Sequence, residues 1–144
     1  MKKRLLWIDD DHARLPELIT MLSERGFEVH CAESVYEAKE RFRRHVYDCV
    51  LLDMILPYGS TGEARAAERE RSYLGLGVID WIVNNSTPDE RPRIVILSIV
   101  DEERLSLRLQ NLKKRGIVSE VLQKGAMISL EDVVNAVICS LQKK

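Results

Sequence analysis

Five residues have the types and spacing to do chemistry together: Asp9 and Asp10, Asp53, Ser98 and Lys124. Each stands at or just beyond the end of an apolar run: Leu5-Leu6-Trp7-Ile8, then Cys49-Val50-Leu51-Leu52, then Ile94-Val95-Ile96-Leu97, then the weaker stretch from Ile117 to Leu122. Carboxylates that share a crevice repel one another unless a cation sits among them, and all-oxygen ligands suit Mg²⁺. A lysine adds a compact point charge suited to a phosphoryl group, and a hydroxyl adds a hydrogen bond to one of its oxygens. The set therefore describes a carboxylate nucleophile, Asp53, that accepts a phosphoryl group while metal and lysine neutralise the developing charge.

Taken singly, each residue has a plainer explanation. Aspartates after a first strand often cap helices, a lysine after a strand is usually solvated, and a strand-end serine often bonds its own backbone. The weight lies in all five falling at the ends of runs that read as strands.

Those runs fit strands buried on both faces, bounded by polar residues. Between them the period changes. Leu15, Leu18, Ile19 and Leu22 recur at helical spacing, with Pro16 tolerable only in a first turn and Gly26 as the stop. Phe27–Cys31 reads as a second strand. Ser34 and Glu37 form a capping box that opens a helix with Val35, Ala38 and Phe42 inward. Val78, Ile79, Trp81 and Ile82 mark a third helix. Leu105, Leu109 and Leu112 mark a fourth, closed by Lys113-Lys114-Arg115-Gly116, and a last helix starts at Ser129. Strands alternating with helices predict a parallel sheet wrapped on both faces, whose strand ends converge on one crevice.

The whole chain agrees with this. Its 144 residues suit one domain, and 45% hydrophobic with 31% charged residues is the balance of a globular protein. A net charge of −1 without a basic block points away from nucleic acid and membrane surfaces. No run is long enough to span a membrane, and the apolar run after Met1-Lys2-Lys3-Arg4 is too short for a signal peptide. Cys31, Cys49 and Cys139, each among apolar neighbours, read as buried thiols of a reducing compartment. The expected location is cytoplasmic.

On Leu6-Trp7-Ile8-Asp9-Asp10-Asp11, Tyr47 through Pro57, Ile94-Val95-Ile96-Leu97-Ser98 and Leu122-Gln123-Lys124, the chain resembles the receiver domain of two-component response regulators over essentially its full length. The spacing from Asp10 to Asp53 agrees with that family. The resemblance implies a flavodoxin-like doubly wound (βα)5 fold with strand order 2-1-3-4-5. It implies a single stand-alone domain over 1–144 rather than a turnover enzyme, phosphorylated on Asp53 by a histidine kinase or phosphotransfer protein and signalling to a further protein. It assigns Mg²⁺ to Asp9, Asp10, Asp53 and the backbone carbonyl of Ile55, and the switch and phosphoryl-binding roles to Ser98 and Lys124.

The sequence departs from the family in places. Val121 stands where an aromatic residue is usual, Ile99 where a small one is usual, and Gly125 where a proline often follows the lysine. These departures favour a second reading, a pseudo-receiver that acts as a phosphorylation-independent interaction module. A phosphohydrolase of the haloacid dehalogenase type needs a second acid two residues after the nucleophile, where this chain has Ile55. Finally, about residues 58–76 form an insertion after the third strand, longer than the roughly 12–15 residues at which connections become uncommon. Glu63–Arg71 within it reads as a helix without an apolar stripe, and Gly75 and Gly77 fit the glycine that opens the third helix.

Overall fold

The structure, a computed structural model, describes residues 2–10, 16–54, 74–98, 103–123 and 129–142. Among these it holds five strands, β1 (Lys3–Ile8), β2 (Phe27–Ala32), β3 (Cys49–Leu52), β4 (Arg93–Ser98) and β5 (Glu120–Gln123). They alternate with α1 (Pro16–Glu24), α2 (Val35–Arg44), α3 (Leu74–Asn84), α4 (Glu103–Lys114) and α5 (Leu130–Gln142). All strand pairs are parallel and lie in the order β2-β1-β3-β4-β5. This is the flavodoxin-like doubly wound (βα)5 sheet that the sequence predicts.

Successive strand side chains point to opposite faces, and both faces are covered. Leu6, Ile8, Val50, Leu52, Ile94 and Ile96 pack with Val35 and Ala38 of α2, Ile79 and Ile82 of α3, and Leu109 and Leu112 of α4. Leu5, Trp7, Cys49, Leu51, Val95 and Leu97 pack on the other side with Leu18 and Leu22 of α1 and Val133, Val134 and Val137 of α5. Burying one such side chain contributes about 1.5–3 kcal/mol, against about 1 kcal/mol for a helix cap. The two packed faces therefore fix where the strands end.

Local signals place the helices. Pro16 opens α1, where its missing N–H costs nothing. Ser34 Oγ accepts the Glu37 N–H at 3.1 Å, and the Glu37 carboxylate accepts the Glu33 N–H at 2.9 Å. The capping box thus closes one residue earlier than the usual pattern. Ser129 and Asp132 cap α5 reciprocally, at 3.1 and 2.9 Å. Gly116, at φ +77°, ends α4 with its own N–H on the Lys113 carbonyl and the Ile117 N–H on the Leu112 carbonyl.

Several expectations need correction. Ile117 and Val118 are buried but precede β5, which starts only at Glu120. Helix α3 begins at Leu74, ahead of the Val78 from which its pattern is read. Cys49 is buried and Cys31 half-buried, but Cys139 is exposed, because its place on α5 turns it away from the sheet. The proposed insertion lies outside the described residues as far as residue 73; residues 74–76 already belong to α3.

Candidate phosphoryl and metal site

Two hydrogen bonds at the sheet's edge position the acidic residues. The Asp9 N–H donates to the Ala32 carbonyl and the Asp53 N–H to the Ile8 carbonyl, each at 2.9 Å. Ile8 is in register with both Ala32 and Leu52, so Asp9 and Asp53 each follow the last rung of adjacent strands. Central strands end together here, and both carboxylates emerge at the carboxyl edge, where open α/β sheets bind ligands.

The result is a cluster. Asp9, Asp10 and Asp53 each offer a carboxylate oxygen, and these oxygens all lie within 4.8 Å of one another. Asp9 is 1% exposed and Asp53 6%, whereas Asp10 faces solvent. Two unit charges at that separation repel by roughly 3–4 kcal/mol at an effective dielectric of about 20. Three carboxylates held this closely, two of them out of water, fit a divalent cation taking oxygen ligands from one side.

The remaining predicted residues divide as follows. Ser98 is the last residue of β4, paired in register with Gln123, the residue before Lys124. The backbone therefore carries residues 98 and 123 to the same edge. Lys124 and Ile55 lie outside the described residues, as do Ile99 and Gly125, and so does the Ser98 hydroxyl. Val121, at the position that is aromatic in the family it resembles, lies on β5 and is 37% exposed.

Two features of the structure have no motif in the sequence. The first is a contact at the base of α3. Gly75 donates its N–H to the Met54 carbonyl at 2.9 Å, and an added Cβ would lie 2.5 Å from the Asp53 carbonyl oxygen. Both Gly75 and Gly77 fit the sequence pattern, but around Gly77 an added Cβ meets nothing within 4 Å. The second feature lies at the opposite, amino end of the strands. Arg4 Nε bonds Glu28 at 2.5 Å, Glu28 sits 3.5 Å from His30 Nε2, and His30 Nδ1 lies 2.7 Å from the Tyr47 hydroxyl.

Burial pushes the Tyr47 hydroxyl up to about 12, so it keeps its proton beside His30 Nδ1. Burial first, with the charges of His45, Arg4 and Arg41 adding to it, holds His30 below its ordinary value, against the opposing pull of Glu28. A cleft of about 310 Å³ beside this chain is lined by Phe42, His45, Tyr47 and Trp81, among others. It is at the wrong end of the sheet for the acidic cluster.

No family model matches the sequence, and no curated protein matches it. Solved structures do match over nearly the whole chain. A two-component response regulator from Clostridium difficile is 22% identical with a TM-score of 0.73, covering 99% of this chain and 98% of that one. The non-phosphorylated HemR receiver domain from Leptospira biflexa is 20% identical with a TM-score of 0.74, covering 99% and 97%. A response regulator protein from Burkholderia pseudomallei, solved with a phosphorylated aspartic acid, calcium ion and citrate, is 20% identical with a TM-score of 0.68, covering 98% and 69%. At these identities the likeness concerns the fold.

Proposed function

We propose that this chain, which has the fold of a response regulator receiver domain, works as a phosphoacceptor receiver in two-component signalling, with Asp53 as the acceptor. The observation that carries the reading is the approach of the Asp9, Asp10 and Asp53 oxygens to within 4.8 Å at the ends of adjacent strands. That a protein of the same fold holds a phosphorylated aspartic acid and a calcium ion supports pairing an acceptor aspartate with a divalent cation.

In this reading a carboxylate oxygen of Asp53 forms the new O–P bond. The P–N bond of a donor phosphohistidine breaks, and its electron pair leaves on the imidazole. Asp53 is held for this by its backbone bond to Ile8, and burial limits its hydration. Asp9 is buried with it, and the exposed Asp10 would be the ligand on the solvent side. Asp9, Asp10, Asp53 and the Ile55 carbonyl would hold Mg²⁺, which would supply charge neutralisation for the phosphoryl oxygens. Ser98 and Lys124 complete the set by binding those oxygens.

Asp53 is consumed as an acceptor and restored by hydrolysis, so the chain is a signalling protein rather than a turnover enzyme. The donor is a histidine kinase or phosphotransfer protein, and the output passes to a further protein through contacts that phosphorylation biases. No helix among the described residues is long and apolar enough to cross a membrane, and a cytoplasmic location is part of the same proposal.

Incubation with acetyl phosphate tests this. The intact protein should gain the mass of one phosphoryl group with Mg²⁺ and none with a chelator. The half-exposed Val121 in place of a ring favours the second reading, a phosphorylation-independent adaptor. A protein that never gains the mass would point to that one.

A further inference from the structure

The first turn of α3 rests directly on the backbone that carries Asp53. A Cβ at Gly75 would lie 2.5 Å from the Asp53 carbonyl oxygen, 2.6 Å from Met54 Cα and 2.9 Å from Met54 Cε. The two closest atoms are main chain and cannot swing aside as a side-chain end can. Met54 is held twice: its carbonyl accepts the Gly75 N–H at 2.9 Å, and its side chain is fully buried in the layer that contains Leu76, Val78 and Ile79. Gly77, in the same helix turn, is exposed with open space around it. Absence of a side chain is therefore a requirement at 75 and an accident at 77.

We propose that Gly75 is a positioning residue for the metal-assisted chemistry at Asp53. Its N–H fixes the Met54 carbonyl, and its bare Cα lets the first turn of α3 lie against the Asp53 carbonyl, so the backbone on both sides of the Asp53–Met54 bond is held. Gly75 thus positions Asp53 through its backbone, without touching metal or phosphoryl group. A side chain at 75 must displace either the Asp53–Met54 backbone or the start of α3. Ile79 and Ile82, fully and nearly fully buried further along the helix, resist the second. This inference rests on the reading of Asp53 as a metal-assisted phosphoacceptor.

Four proteins separate positioning from mere packing: wild type, Gly75→Ala, Gly77→Ala and the double variant. Alanine is the better helix former, so Gly77→Ala raises stability and offsets what Gly75→Ala loses. Mg²⁺ affinity is read by calorimetry, folding by thermal melting, and phosphorylation by the rate of mass gain with acetyl phosphate. Gly77→Ala should match wild type in affinity and rate. The double variant should melt close to wild type, yet bind Mg²⁺ about tenfold or more weakly, as losses beside a metal's own ligands typically do. It should also gain mass more slowly.

Wild-type affinity and rate in the double variant would overturn the inference and leave the phosphoacceptor reading standing. Failure of the wild type itself to bind Mg²⁺ and gain mass would overturn both. A wild-type measurement covers the case in which the variants do not fold. Adding Mg²⁺ should slow amide exchange at Gly75, and unchanged exchange there in a protein that binds Mg²⁺ would overturn the inference.

Discussion

The backbone N–H of Asp53 donates to the carbonyl of Ile8 at 2.9 Å, one residue before Asp9. Sheet register therefore sets where the two buried carboxylates leave adjacent strands.

Asp10→Asn should fold normally and lose the response to Mg²⁺. In the wild type, Mg²⁺ at about ten times its dissociation constant should stabilise by about 1.4 kcal/mol, raising the melting temperature by a few degrees. The fluorescence of Trp7, fully buried on the same strand as the Asp9 site, should report the titration. An Asp10→Asn protein that still melts higher with Mg²⁺ would put the metal elsewhere.

The strand ends were legible in the sequence because complete burial writes itself as unbroken apolar runs, as in Leu5–Ile8 and Cys49–Leu52, every residue of which is 0% exposed. The same logic misled at Ile117 and Val118. Their burial comes from packing at the exit of α4, where Ile117 bonds back to Leu112, and apolarity marks burial rather than strand pairing. Choosing between Gly75 and Gly77 needs the seat of α3 on Met54, which no local pattern encodes. The contact of His30 with Tyr47 joins residues from β2 and from the approach to β3, so it too becomes visible only in the folded chain.

Burial of His30 makes stability depend on pH. His30 has a folded pKa below its ordinary value of 6.5, with burial the largest cause. The unfolded chain therefore binds the proton more readily, and its contribution to stability is full above the unfolded value. It is lost as pH falls through that value toward the lower folded one. Urea unfolding of wild type and His30→Gln should show the wild type losing more stability than the variant between about pH 8 and pH 5. Equal losses would mean that His30 titrates alike in both states.

Ser34→Ala removes the acceptor of the Glu37 N–H at the start of α2. It should cost about 0.5–2 kcal/mol in stability while leaving Mg²⁺ affinity unchanged. A changed Mg²⁺ affinity would show that the site depends on α2 as well as on the strand ends.

The identity of Asp53 as the acceptor is tested most directly by mass. Wild type and Asp53→Asn are incubated side by side with acetyl phosphate and Mg²⁺, and the intact proteins are weighed. Asparagine keeps the size and hydrogen-bonding capacity of the residue but removes the nucleophile. One phosphoryl group on the wild type and none on Asp53→Asn is the expected result; equal phosphorylation of both, or of neither, would contradict it.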